Sequence, residues 1–548
     1  MFRRIGSCTI RTGRRRRLRI GQSNRGPVSL GRQQTSQPVT FPAPRGGLVT
    51  TADMASQQPG SATVLRNFFP TLMGCKIRGG SQRKGLAADG GDIRSAFKYK
   101  YGSNEKLFMA TNAGIYNMTA PATPPATTAA EVSGMSGGDW CAFQHSNAGT
   151  SWLVCLNGAN DRRLYNGTTW TTAPAITFTD GTTMAQLNYG WLFKNREFFL
   201  KNGTLDAYYL PVNAVGGAAV VFPLGGVMKK GGSLLTGFSW SLESGDGLSD
   251  LCVFLSTEGE IAVYAGSDPS SASDFALKGV YQIGRPLGKN GWIRAGADIL
   301  IATTDGLTPM SQVFQRDRQA LSLVSVSRPI EDDWRRAANA TGTGWTLKQW
   351  PEQNLVFVAF PENTVVADTT FVLNVLTGRW STISNWQALC YETLQGGLFF
   401  GSLDGYMWQG DAGGTDDGLS FSATYLSQFS PATQFGQRAT ATMAHMYFRA
   451  KSAPKVRLFA RADYDRSTPT FTTSTEGEAS SSEWDVGLWD RAIWDGVSEV
   501  QRYDFRQNVR ATGDMIGVGC VITSGGDFKL DIEVDLATVQ VSVGEASA

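Results

Sequence analysis

Two histidines, His145 and His445, and seven scattered cysteines narrow what this chain can do by metal or acid–base chemistry. The cysteines (Cys8, Cys75, Cys141, Cys155, Cys252, Cys390, Cys520) contain no C-x-x-C pair and are odd in number. Neither a structural zinc site nor a disulfide framework is expected from that pattern. Trp484, Trp489 and Trp494 stand five apart in WDVGLWDRAIWDG, each followed by an aspartate. That spacing fits neither a strand face nor a helix face, so a loop folded on its own indoles is expected. The aspartates lack the spacing of a calcium loop. Arg14, Arg15, Arg16 and Arg17 offer a different chemistry. Residues 1–52 hold 11 Arg, no Lys and no acid. Such an arm can neutralise nucleic-acid phosphates or enter an acidic groove. A disordered tail, an extension upstream of the true start and a transit peptide share the same composition. The remainder, 39 basic against 47 acidic residues, is net −8, a mildly acidic body. Phosphate-loop, dinucleotide and H-E-x-x-H signatures are all missing, and no carboxylate pair is singled out. A non-enzyme without a cofactor is the expectation.

Whatever these residues do, they are positioned by a repeated strand. LFMATNAG (Leu107 to Gly114) returns as CVFLSTEG from Cys252, ILIATTDG from Ile299 and LFFGSLDG from Leu398. Looser copies start at Trp152, Phe198 and Leu355. Each is an apolar run too short for a helix and closed by turn residues, hence strand, tight turn, strand. The seven starts lie 43 to 56 residues apart. A four-stranded sheet with its turns takes roughly 40–48 residues. One copy per sheet therefore fits a β-propeller of six to eight blades, with seven favoured. Unrelated hairpins in one or two sandwiches would give the same local pattern.

The totals suit that class. Charged residues are 18% of the chain, against 63 Gly and 15 Trp. Low charge, many turns and many aromatics belong to an all-β protein that hides surface against partners. The longest apolar stretch, Ala214 to Met228, is glycine-rich and carries Pro223, so no membrane span is expected. Four regions follow: a basic N-terminal arm over 1–41, an extended strap or docking segment over 42–92, the propeller over 93–417 and a β-sandwich platform over 418–548. The last rests on alternation in Phe528 to Leu536 and at Val456, Leu458 and Ala460.

The strap carries a resemblance. It opens with PAPRGG from Pro42 and continues through an N-x-x-P-x-x-x-G-x-x-x-R-x-G arrangement at Asn67, Pro70, Gly74, Arg78 and Gly80. In this it resembles the tail nozzle proteins of short-tailed phages (podoviruses), also called tail tubular protein B. The W-D loop is a second likeness to the same family. The resemblance implies a structural virion protein at the phage tail tip. Six copies would form a ring beneath the tail adaptor that continues and closes the DNA-ejection channel. Its partners would be the other copies, the adaptor, tail fibres or spikes, and the double-stranded DNA in the lumen. Residue by residue, Leu65, Phe68 and Phe69 could pin the strap to a core, and Arg78 could hold a carboxylate bidentately. The alternative is a tail propeller that binds or depolymerises host polysaccharide. Ser402 to Trp408 (SLDGYMW) is similar to the S-x-D-x-G-x-x-W box of sialidase-type propellers, one residue short. That box is structural where it is found.

Overall fold

The computed structural model describes residues 36–51, 57–147, 149–244, 247–361, 369–432, 438–451, 453–475 and 500–543. Strands hold 53% of the residues and helices 7%, so the protein is all-β. Seven antiparallel sheets follow one another along the middle of the chain. Sheet 1 is Ser95–Tyr101, Asn104–Ala110, Gly114–Asn117 and Ala130–Ser133. Sheet 2 is Cys141–Asn147, Thr150–Leu156, Arg163–Tyr165 and Trp170–Thr171, and sheet 3 is Leu187–Phe193, Arg196–Lys201, Asp206–Tyr209 and Val220–Pro223. Sheet 4 (Leu234–Ser244, Gly247–Ser256, Glu260–Ala265, Ala276–Gln282) has the longest opening hairpin. Sheet 5 has three strands, Trp292–Ala295, Asp298–Thr303 and Gly306–Pro309. Sheet 6 is Thr346–Trp350, Leu355–Ala359, Thr369–Asn374 and Arg379–Ser384. Sheet 7 runs Ala388–Leu394, Gly397–Ser402 and Tyr406–Gly410, and its fourth strand is Ser81–Leu86, from the other side of all the rest.

All seven repeat starts read from the sequence fall in the second strand of a sheet. There, consecutive residues serve two different cores. Leu107 packs with Cys390 and Met407 of sheet 7, while Phe108 packs with Leu153 and Tyr165 of sheet 2. Ile299 packs with Val253 and Val263 of sheet 4, while Leu300 packs with Val356 and Leu373 of sheet 6. A strand covered on both faces needs apolar residues at every position, which is why the runs are continuous. Polar bonds also tie each sheet to the next. Gln144 and Lys100 exchange two bonds of 3.0 Å between sheets 1 and 2. The Ser239 hydroxyl donates to the Leu192 carbonyl (2.7 Å), and Arg294 donates to the Ser239 carbonyl (2.8 Å). Lys348 pairs with Glu392 between sheets 6 and 7 at 2.6 Å. Between sheets 7 and 1, the Ile93 amide donates to Ser402 at 3.0 Å.

Three helices after sheet 5 were not anticipated: α1 Met310–Val313, α2 Arg318–Val324 and α3 Glu331–Thr341. They cover the edge where a fourth strand would lie. The Ser327 hydroxyl accepts from the Leu307 amide (2.9 Å), and the Val326 amide donates to the Leu307 carbonyl (3.0 Å). The α3 signal was present in the sequence, with Glu331, Asp332 and Asp333 in the first turn and Gly342 after the last.

The C-terminal region folds as two facing sheets around buried Met446, Phe448, Val539 and Val541 on one side and Leu458, Val518 and Ile522 on the other. One sheet centres on Ala439–Ala450 between Gln501–Gly513 and Ile532–Val543. The other joins Ser422–Ser427, Val456–Ala462 and Met515–Ser524. The expected alternation begins at Leu530, the strand itself at Ile532, and a register shift opposite Tyr447 and Phe448 turns Leu536 out of phase. The boundaries need correction. Ser36–Phe41, assigned to the arm, is a strand paired with Ile532–Val543, with Ser36 opposite Ser542. Within the strap, Cys75–Ile77 joins the same sheet and Ser61–Arg66 pairs with Ser422–Ser427. Backbone partners inside the chain are what the extended segment was lacking, and it finds them in three sheets.

Candidate interaction site

Asn67, Pro70, Gly74, Arg78 and Gly80 lie at one junction between sheet 6, the turn after sheet 7 and the C-terminal sheets. Arg78 is fully buried. Its guanidinium forks onto the Asp416 carboxylate, with Nη1–Oδ1 at 2.9 Å and Nη2–Oδ2 at 2.8 Å. Nε donates to Asn67 Oδ1 (3.0 Å), Nη1 to the Gly79 carbonyl (2.8 Å) and Nη2 to the Ser384 carbonyl (3.0 Å). The ring of Phe421 lies 3.8 Å from the guanidinium carbon. A buried charge is tolerable when its partner and every donor are satisfied in this way.

Asn67 sets the geometry. At φ 61° it turns the chain between two strands, in a conformation Asn adopts more readily than most residues. Its amide nitrogen donates to Ser384 Oγ and to the Ser422 carbonyl, both at 2.8 Å. The Pro70 carbonyl accepts from Asn374 at 2.8 Å. Gly80 is required by space, since a Cβ there would stand 1.9 Å from the Thr415 carbonyl oxygen. Phe69 packs edge-on to Trp350 and Phe357, and Phe68 and Leu65 are buried. Asp416 and Ser384 were not picked out in the sequence; only the double acid in GGTDDG hinted at Asp416.

A second feature is a cavity of about 480 Å³. It is lined from the first strands of six of the seven sheets, among them Lys98, Gln144, Trp191, Trp292, Lys348 and Glu392. Its charges are largely compensated: Lys98 meets Glu105 at 3.4 Å and Lys348 meets Glu392.

Among the described residues, the remaining candidates lie apart from one another. The six described cysteines are buried, and burial raises their thiols, Cys141 to about 11 and Cys390 to about 12. His145 lies against Glu197 at 2.6 Å, and Glu197 also meets Arg162 at 3.1 Å, all three fully buried between sheets 2 and 3. Burial lowers the Arg162 pKa against the pull of Glu197 and raises that of Glu197. In SLDGYMW, the Trp408 indole donates to Ser402 Oγ (3.0 Å), and Ser402 bonds Asp404 and the Tyr406 carbonyl, so the box ties its own turn. Among the described residues no three His, Cys, Asp or Glu converge as a metal site, and no helix is long and apolar enough to cross a membrane. Arg14 to Arg17 and the loop of Trp484, Trp489 and Trp494 lie outside the described residues.

No protein-family profile matches the chain, and no curated protein matches it in sequence. Solved structures give distant likenesses. The extracellular domain of the putative one component system BT4673 from B. thetaiotaomicron is 10% identical at TM-score 0.38, over 66% of this chain and 43% of that one. Raptor of Chaetomium thermophilum is 11% identical at TM-score 0.35, over 61% and 29%. The computationally designed Ika8 protein is 9% identical at TM-score 0.32, over 60% and 99%. The chain thus spans less than half the length of the first two. At these scores the likenesses carry no argument about this protein.

Proposed function

We propose that this chain is the distal nozzle subunit of a short phage tail, built as a closed seven-bladed propeller on a sandwich platform. Seven consecutive sheets with polar bonds from the seventh back to the first support the propeller. So does a seventh sheet completed by Ser81–Leu86 from the N-terminal side, which latches the two ends of a ring. For the function, one observation counts most. Two of the five residues that carry the family resemblance, Asn67 and Arg78, bond each other at this junction and are buried with every strong donor used.

In this reading the work is mechanical. The duplex does not run through a single chain. A cavity of about 480 Å³ is the size of a small-ligand site, whereas the major groove of a duplex alone is about 12 Å wide. DNA passes between copies, where a net acidic body repels phosphate and does not grip it. A ring needs one heterologous interface repeated about an axis. Mixing purified chain with the adaptor and imaging the product is the direct test. Six copies around an open axis are expected. A three-fold spike or a single peripheral copy in the assembled tail would sink the proposal.

A further inference from the structure

A groove of about 430 Å³ lies at the seam between the strand Ser61–Arg66, sheet 6 and α3, and borders the Arg78 junction at Leu65. Its floor is apolar, with Leu48, Leu65 and Phe371. Three arginines from three separate parts of the chain close in on it: Arg66 at the end of a strap strand, Arg336 on α3 and Arg466 after Val456–Ala462. Their placement is fixed by backbone. Arg66 pairs with Thr382 across the seam between the strap and sheet 6, and Arg466 donates to the Thr63 carbonyl at 3.3 Å. The one carboxylate in the lining, Asp333, is taken by Arg336 at 3.2 Å. The Arg66 side chain is exposed and has no partner among the described residues. Three cations against one anion leave two positive charges facing a cavity with the hydroxyls of Thr382 and Thr468 beside them.

The geometry points to a phosphate-binding groove, in which Arg66 and Arg466 fork onto phosphate oxygens and Arg336 adds a third contact. A neutral sugar would leave two guanidinium groups unpaired, and a single carboxylate would neutralise only one. Phosphate is doubly charged near neutral pH and tetrahedral, and presents enough acceptors for two planar forks at once. The volume is that of a site for a nucleotide-sized group. The same oxygens come from a free phosphate compound or from two successive phosphodiesters, each singly charged, of a nucleic-acid strand. Neither source depends on the nozzle reading.

Because the arginine-rich arm also attracts polyanions, the test must report on individual arginines. Phenylglyoxal labelling of the full chain, mapped by peptide mass, does so. Inorganic pyrophosphate is expected to protect Arg66, Arg336 and Arg466 with one common half-saturation. Arg316, exposed and, among the described residues, bonded to Gln312 alone, serves as the control and should stay reactive. Arg66→Gln removes no hydrogen bond or ion pair among the described residues, so its melting temperature should match the parent. It should raise the pyrophosphate needed to protect Arg336 and Arg466 by about ten-fold or more. Protection by pyrophosphate but not by a short single-stranded oligonucleotide identifies a free phosphate compound. Protection by both identifies a phosphodiester backbone. No protection up to millimolar pyrophosphate, or protection of Arg316 in step with the other three, overturns the proposal.

Discussion

Arg78 was legible in the sequence as a residue able to hold a carboxylate bidentately, because it follows a short strand in a fixed motif. Its partner was not legible, since Asp416 is more than three hundred residues away and nothing local marks it. The pair allows a sharp test. Arg78→Met strands a buried carboxylate and should cost about 3–5 kcal/mol, read from the urea midpoint. Arg78→Lys keeps the charge but cannot make the fork, and should recover only part of that loss. Removing both charges with Arg78→Met and Asp416→Leu should be milder than Arg78→Met alone. A loss below about 1 kcal/mol in the first variant would mean that the junction is held by its apolar residues. Another local pair gives a pH prediction. The hydrogen bond donated by Tyr208, followed by those from Thr182, holds the Asp180 carboxyl down at about 2. Burial, followed by that same bond, pushes the Tyr208 hydroxyl up to about 12. A depressed carboxylate pKa stabilises the fold above the ordinary value near 4, and this is lost as pH falls towards about 2. Tyr208→Phe should therefore move the Asp180 titration upward in an NMR pH series. An unmoved Asp180 would place the cause in the Thr182 bonds.

At the scale of elements, the repeats were readable because one physical situation recurs seven times. A second strand sandwiched between two sheets has to be apolar throughout, and the turn after it favours glycine with positive φ, as at Gly259 and Gly405. Leu300→Asp puts an unpaired charge into the core between sheets 5 and 6, and a loss of several kcal/mol is expected. Wild-type yield and an unchanged melting temperature would show that this strand is not covered as described. What the repeat could not announce was its own interruption. Sheet 5 stops at three strands; Val326 and Ser327 bond its edge, and the following α3 sends Trp334 into the core beside Trp345 and Trp380. The helix signal was local and sufficient, but a strand period laid over the whole region concealed it. The edge strand Gln501–Gly513 shows a different kind of legibility. Its outward positions carry Arg502, Asp504, Arg506 and Arg510, charges that discourage pairing with a foreign strand.

For the whole molecule, composition and period were enough to read the all-β class, but the boundaries between regions were not. Linear segments were assigned to separate units, whereas long-range pairing sews residues 36–86 into the C-terminal sheets, the edge of sheet 6 and sheet 7. Pairing partners hundreds of residues apart leave no mark in a local pattern. The arm is accordingly shorter than residues 1–41. A deletion meant to leave the body intact should end at residue 35, because Ser36–Phe41 is structural. Removing residues 1–35 is expected to keep the melting temperature and, on the nozzle proposal, to weaken incorporation into tails. Equal incorporation at low and high salt would make the arm dispensable. The pairing of Ser36 with Ser542 also sets a clock during synthesis. A ribosome adds about 5–20 residues per second, so the first strand waits roughly 25–100 s for its partner to be made. Throughout that interval the sheets between them can form, but the platform lacks the strand that anchors the arm. Until Ile532–Val543 has been made, Ser36–Phe41 has no strand to pair with.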